Sequence, residues 1–488
     1  MNPRLFGTEI EYGCLIEDDD LAMEITPEAL ALRVKDYMFR EMDVGMLDEH
    51  YRDWGEPPGN GGFMFNGGRL YIDMGHIEYA TPECRSVRDL IVYERAMDNL
   101  IVDALDGLGL RDQASFVRNN IDHVTGATFG YHENYLMSRD IDFYQRVIPA
   151  LIPFLITRQI YAGAGRIGCH EEDMWEADSP RRHRRATRID LDSPYQISQR
   201  SDHIVTEQYQ WVQFSRAIIN TRDEPLADSN RFRRLHLLLG DTNMSEYAHM
   251  LKIGSTAAVL QMIEAGVNFP EMDIANPIRS LRIVSRAVKS PWPIALAQGG
   301  YTSAMEIQET YLEMAERYLL GESIEMDAIL REWRSALEGL SQDPELLKDR
   351  IDWVAKKWLL ETFVEEEKLS WDDPWLQSVD LEYHKIDPDR SLYADLVEEG
   401  LMRELVSDRE VEDAMYDAPR DTRAYGRSLI MRMLSERPIM SAVDWDTIYL
   451  ETGQLVKMLD PFHTYESMRG ALEDILDRQA SEPSAEME

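Results

Sequence analysis

The segment Arg69-Leu70-Tyr71-Ile72-Asp73-Met74-Gly75-His76-Ile77-Glu78-Tyr79 constrains this chain more than any other, because polar and apolar residues alternate through it. In an extended strand successive side chains point to opposite faces, so Arg69, Tyr71 and Asp73 share one face while Leu70 and Ile72 enter a core. That polar face mixes a cation, a phenol and carboxylates, and it looks into a pocket. The opening Phe6-Gly7-Thr8-Glu9-Ile10-Glu11-Tyr12-Gly13 repeats the pattern, with Glu9 and Glu11 on one side and Ile10 on the other. A single pair of acids two apart commonly lines a solvated strand face. Two such strands, each apolar behind, instead offer converging oxygen ligands of the kind Mg²⁺ takes together with nucleotide phosphates. Glu9, Glu11, Tyr71 and Glu78 are the candidate metal shell.

Composition bounds the rest. A chain of 488 residues with 44% hydrophobic content can build one large domain and a smaller one. The longest apolar run, Val147 to Ile156, is broken by Pro149 and Pro153 and is too short to span a bilayer, and Met1 to Tyr12 has no cleavable signal pattern. A soluble cytoplasmic protein without membrane association is expected. Cys14, Cys84 and Cys169 have no paired spacing that suggests disulfides or a zinc site. A net charge of −39 argues against nucleic acid as a partner, since its phosphates need clustered Lys and Arg. An acidic ligand would need a local basic groove, for which Arg118, Arg139, Arg166, Arg200, Arg222, Arg233 and Arg234 are candidates.

Thr26-Pro27-Glu28 opens a helix that runs to about Met42, by its capping hydroxyl, proline at the first turn and acid at the positive dipole end. Asp48 to Gly62, rich in Gly and Pro, reads as a mobile loop feeding the Arg69 strand, with a lid as one possible role and a surface connection as the other. Ser86 starts a second helix that ends near Gly107. Phe116–Asp122 and Phe129–Leu136 read as strands of a hairpin around Thr125-Gly126. Within it, His132 and Glu133 are further metal or phosphate candidates, ranked below the carboxylates because a lone strand histidine is commonly structural. His170 to Asp192 joins an acidic run to an arginine cluster without any apolar period and reads as a loop or disordered insertion. Helical spacing recurs at 255–265, 303–320 and 326–340, then at 411–415 and 425–434. The domain reading is 1–416 for the large unit, 417–478 for a small C-terminal one and 479–488 for a disordered acidic tail.

At this point the sequence resembles a known family, the Pup ligases and Pup deamidase/depupylases, relatives of glutamine synthetase. The resemblance covers nearly the whole chain. It rests on Gly7–Gly13, Asn66–Asp73, Glu78-Tyr79-Ala80-Thr81, His132–Leu136, Asn220–Pro225 and Asn243-Met244-Ser245-Glu246. It implies an α+β fold, a glutamine-synthetase-like curved antiparallel sheet forming a cradle backed by helices, with a small C-terminal domain and with ATP and Mg²⁺ in the cradle. Carried over residue by residue, Glu9, Tyr71 and Glu78 resemble metal ligands, and Arg69, Thr81 and Trp445 resemble ATP contacts. Asp73 resembles the catalytic acid-base residue. Arg200 and Arg222 remain candidate phosphate or carboxylate forks.

The activity implied is transfer of the ATP γ-phosphoryl group to the side-chain carboxylate of the C-terminal Glu of Pup, then attack by a lysine of a target protein. Gly240–Glu246, Met250–Gly254, Asn276–Arg279 and Asp380–His384 are ligase-like. Gln199-Arg200-Ser201-Asp202 is deamidase-like, and so is the Asp73-to-Glu78 spacing, one residue shorter than a ligase leads one to expect. The stretch between Cys14 and Phe65 is intermediate in length. The balance points to the ligase, with hydrolysis of a C-terminal Gln or of the isopeptide bond in the same pocket as the alternative. A small-molecule carboxylate-amine ligase and a noncatalytic Pup-binding protein are the other classes; Trp445 argues against the first, and intact Glu9, Tyr71, Asp73 and Glu78 against the second.

Overall fold

The structure, a computed structural model, describes residues 4–52, 56–122, 128–168, 194–211, 215–437 and 439–481. Its centre is a ten-stranded sheet. The N-terminal part supplies β1 (Phe6–Ile16), β2 (Gly45–Leu47), β3 (Gly61–Met64), β4 (Arg69–Asp73), β5 (His76–Ala80), β6 (Ala114–Val117) and β7 (Tyr131–Ser138). Strands Thr206–Tyr209, Ala217–Asn220 and Phe232–Leu237 complete it. From one edge the order is Thr206–Tyr209, Ala217–Asn220, Phe232–Leu237, β7, β1, β5, β4, β3, β2. Pairing is antiparallel except at the outer edge, where Thr206 and Gln208 align in parallel with Ala217 and Ile219.

The expected hairpin over 116–136 is corrected. Among the described residues β6 and β7 do not pair with each other; β6 pairs with Gly13–Ile16 of β1 and β7 with Phe6–Ile10. β1 is 11 residues long, long enough for two short partners in succession to satisfy its backbone groups. The turn read at Thr125-Gly126 and the insertion His170 to Asp192 lie outside the described residues.

Alternation dictates the layers. Thr8, Ile10 and Tyr12 of β1 are buried while Glu9 and Glu11 are half-buried on the other side. Ile10, Tyr12, Leu70, Ile77 and Tyr79 pack with Leu30, Val34 and Met38 of helix Pro27–Arg40 and with Leu90, Met97 and Ile101 of helix Val87–Gly107. Each such side chain contributes about 1.5–3 kcal/mol on full burial. Thr26 and Ser86 cap these helices through their hydroxyls, accepting from Ala29 N and Asp89 N. Helix Glu246–Glu264 starts well before the periodicity at 255 suggested. It is buried on almost every side, so no polar stripe marks its first turns, and Ser245 caps it by accepting from Ala248 N.

Beneath the sheet lies a polar layer. Thr8 Oγ1 donates to Glu94 at 2.6 Å, Tyr131 OH to Glu94 at 3.0 Å and Tyr12 OH to Asp98 at 2.9 Å. Arg118 bridges both acids and is 2% exposed. Two helix carboxylates thereby fix the register of β1 and β7 from behind.

The C-terminal segment forms strands Ser441–Val443, Thr447–Leu450 and Leu455–Lys457 with helices Arg423–Ser435 and Glu466–Ser481. Its apolar core of Ile430, Met431, Leu434, Ile448 and Val456 also takes in Phe63 and Phe65 from the cradle. Among the described residues no helix is long and apolar enough to cross a membrane.

Candidate active site

Register brings the acids together. Glu78 pairs with Glu11 on one side and with Tyr71 on the other, and directly opposed residues share a face. A row of carboxylate, carboxylate and phenol therefore crosses three strands. Asp73 lies opposite His76 at the hairpin tip, and Glu9 lies opposite His132. Met74 and Gly75 form the connecting turn with φ of +46° and +93°, the two-residue geometry that favours glycine and matches strand twist. This short turn leaves Asp73 on the rim, exposed, while Glu78 is 3% exposed.

Two groups of ligand atoms form, each within 4.8 Å of one another: Glu11, Asp73 and Glu78, and Glu9, His132 and His236. Burial, and then repulsion from Glu11 and Glu9, pushes the Glu78 carboxyl well above the usual carboxylate range. The Asp73 carboxyl, on the rim but partly desolvated by its neighbours, is raised by that desolvation and by Glu11. Tyr71 is held as a neutral phenol, again by burial and by the nearby Glu78 and Glu9. Burial opposes ionisation of Glu9, but the imidazoles of His236 and His132 and the Arg234 guanidinium outweigh it and lower its pKa. His132 Nδ1 lies 2.9 Å from Glu9 Oε2, and Asn134 Nδ2 donates to Glu9 Oε1 at 3.1 Å. Burial pushes His236 below the usual imidazole range against the opposing pull of Glu9, and neither of its ring nitrogens has a hydrogen-bond partner. Gly130 closes in on both groups: a Cβ there would sit 2.5 Å from Glu11 Oε1 and 2.8 Å from His132 Nε2.

Beside the acids an open pocket with about 140 Å³ of free space is lined by Glu9, Arg69, Tyr71, Thr81, Glu83, Arg234, Arg423 and Trp445. Thr81 Oγ1 accepts from Thr8 N at 3.0 Å. Trp445 meets Phe63 edge to face with ring centroids 5.0 Å apart, and the Arg427 guanidinium lies 5.0 Å from the indole. Glu83 accepts from Arg423 at 2.6 Å and from Arg427 at 2.7 Å. Burial opposes its charge, yet the two arginines depress its pKa to about 2.

The remaining sequence candidates lie elsewhere. Arg200 is not in this lining: it is 2% exposed and donates to the carbonyls of Phe129 and Leu238 at 3.0 Å, and burial lowers its pKa to about 10. Arg222, also outside the lining, pairs with Glu224 at 2.8 Å on the surface. The basic groove does not form as a unit. Arg118 and Arg166 are buried, whereas Arg139 and Arg233 meet Asp223 and Arg234 meets Glu9. Glu133, on the opposite face from His132, is bound by Arg158. Sequence reading missed His236, Glu83, Arg423 and Arg427. The spacing Arg234-Leu235-His236 could have placed His236 on the arginine's face; nothing local marked the others.

The sequence pattern of the family described as Pup-ligase protein matches residues 4–449. The chain belongs to that family. A Pup–protein ligase of Kineococcus radiotolerans is 37% identical over 478 residues, covering 95% of this chain and 97% of that protein. Proteins named as depupylases match as well. Among solved structures, the complex of Pup with its ligase PafA superposes with a TM-score of 0.79 at 33% identity, covering 99% of this chain and 96% of that one. The Pup ligase PafA in complex with ADP gives 0.76 at 35% identity, covering 91% and 93%. The Pup-ligase family fold is thus the α+β cradle described above.

Proposed function

We propose that this chain is an ATP-dependent Pup ligase that joins the side-chain carboxylate of the C-terminal Glu of Pup to lysines of target proteins. The observation that carries the reading is the convergence of Glu9, Glu11, Tyr71, Asp73 and Glu78 beside a pocket lined by Arg69, Thr81 and Trp445. The solved relative with ADP supports a nucleotide in that pocket.

Divalent-cation chemistry fits the donor set. The buried Glu78 carboxyl, raised by burial and by repulsion from Glu11 and Glu9, would be stabilised as a carboxylate by a cation of charge +2, and so would the neighbouring cluster of Glu9, Glu11 and Asp73. Glu9, Tyr71 and Glu78 would hold Mg²⁺, with Glu11 and His132 next to them. Tyr71, a neutral phenol, is the weakest donor of the set. Bound there, Mg²⁺ would offset charge on the transferring phosphoryl group.

This chain's residues then do the following. Arg69, Thr81 and Trp445 orient the nucleotide so that its γ-phosphoryl moves to the Glu carboxylate of Pup and ADP leaves. Asp73 accepts a proton from the target lysine ammonium, which at its ordinary pKa near 10.4 is almost wholly protonated and unable to attack. The amine nitrogen bonds to the activated carbonyl carbon, the C–O bond to phosphate breaks, the departing phosphate takes the second nitrogen proton, and an isopeptide bond remains. The upward shift of the Asp73 carboxyl makes it a better proton acceptor at neutral pH. We read residues 417–478 as a small C-terminal domain that brings Trp445 to the cradle.

Hydrolysis in the same pocket is the second reading, favoured by the two-residue turn between Asp73 and His76. Intact-mass measurement separates the two after incubation with ATP, Mg²⁺, a lysine-bearing protein and Pup ending in Glu or in Gln. Covalent conjugates from the Glu form support the ligase. Conversion of Gln to Glu without conjugates would establish the hydrolase and overturn the proposal.

A further inference from the structure

Asp48 has no part in the chemistry above, yet its carboxylate grips two guanidiniums at once. Arg52 donates to it through Nε at 2.7 Å and Nη2 at 3.0 Å, and Arg69 through Nη2 at 3.2 Å. Asp48 is 6% exposed, and its backbone is tied on both sides: its N donates to Gly61 O at 2.8 Å and its O accepts from Gly59 N at 2.7 Å. Glu56 adds a second carboxylate to Arg69.

Arg52 reaches onward into the C-terminal segment. It donates to the carbonyl of Val443 and lies 3.7 Å from Asp444. Those two residues immediately precede Trp445. The Phe63 ring completes the junction, with its centroid 5.6 Å from the Arg52 guanidinium, 5.8 Å from that of Arg69 and 5.0 Å from the Trp445 ring. Arg69 and Trp445 both line the pocket. A single buried carboxylate thus reaches both lining residues, Arg69 directly and Trp445 through Arg52.

We infer that Asp48 is a positioning residue for the nucleotide site and that Arg52 is its brace to the Trp445 turn; the inference rests on the pocket being that site. A forked guanidinium held by a carboxylate is fixed in direction as well as in place, so Arg69 and the Trp445 turn are set before nucleotide arrives. The brace is not what docks the C-terminal segment. Arg427 independently donates to Gly67 O at 2.7 Å and to Trp445 O at 2.8 Å, and Ser428 donates to Phe65 O. Removing Arg52 therefore loosens the indole while the fold persists.

The test uses the full chain and titrates ADP with Mg²⁺ against Arg52→Ala, Arg52→Lys, Asp48→Asn, Arg69→Ala, Trp445→Ala and the double variant Arg52→Ala/Trp445→Ala. Expected is a rise of about tenfold in the ADP dissociation constant and in the KM for ATP on Arg52→Ala, with kcat within about twofold, partial rescue by lysine, and a comparable rise on Asp48→Asn. In the Trp445→Ala background the Arg52 substitution should add less than about twofold, because the brace then holds nothing. Unchanged ADP affinity in Arg52→Ala, or two independent factors that multiply in the double variant, would overturn the inference even if Asp48→Asn does not fold. Should Arg69→Ala and Trp445→Ala both bind ADP like the parent, the nucleotide reading fails instead, which is a separate outcome.

Discussion

Replacing Glu83 by Gln probes how the C-terminal segment is fastened to the cradle. Glu83 follows β5, its side chain is 12% exposed, and it accepts from Arg423 and Arg427 of helix Arg423–Ser435. Its pKa falls from an ordinary 4.5 to about 2 because the two guanidiniums outweigh the burial that opposes its charge. That depression corresponds to about 3 kcal/mol of stability at neutral pH. The sign follows from the depressed value: the contribution is complete above pH 4.5 and is lost as pH falls through about 2. Glu83→Gln keeps the shape but leaves two arginines without their acid, so urea unfolding at pH 7 should show a loss of about 3 kcal/mol. At pH 3.5 the difference should shrink to roughly 2 kcal/mol. An unchanged unfolding midpoint at pH 7, or a penalty that does not shrink on acidification, would refute the reasoning.

Four further outcomes follow from the site and the polar layer behind it. Glu78→Gln removes a carboxyl whose folded pKa lies above its ordinary value, a group whose ionisation costs stability as pH rises above about 4.5; the variant should melt higher than the parent without Mg²⁺ at pH 7 and gain less from added Mg²⁺. Because cation binding expels a proton from that carboxyl, Mg²⁺ titrations of the parent should show affinity falling as pH is lowered. Asp73→Asn should cut the rate of conjugation about 10²–10⁴-fold while ADP affinity stays unchanged, as read by steady-state rates and calorimetry. Arg118→Met strands Glu94 and Asp98 in the interior and should cost about 3–5 kcal/mol in chemical denaturation.

The cradle face was legible in the sequence because a period of two fixes which strand residues share a side. Alternation in β1 and β4 placed Glu9, Glu11, Arg69, Tyr71 and Asp73, and the register of β5 then brought Glu78 to them. What alternation cannot reveal is the partner across space. Arg118 and Arg200 read as groove cations, but each is buried, one between two helix acids and the other on backbone carbonyls. His236 stayed unread because its neighbours in the site come from β1 and β7, far away in sequence. The hairpin expectation for 116–136 failed for a similar reason: short segments with a turn between them favour local pairing, and only the length of β1 explains why both join it instead. The C-terminal core likewise depends on Phe63 and Phe65, which no inspection of residues 417–478 could supply.

The central claim is that Glu9, Tyr71, Asp73 and Glu78 surround one nucleotide–metal centre. A crystal of the protein grown with ADP and Mn²⁺, read by anomalous scattering, addresses it directly. A manganese peak is expected in contact with the Glu9 and Glu78 carboxylates, next to diphosphate oxygens in the pocket of Arg69 and Trp445. Manganese or nucleotide bound away from those four side chains would contradict the claim.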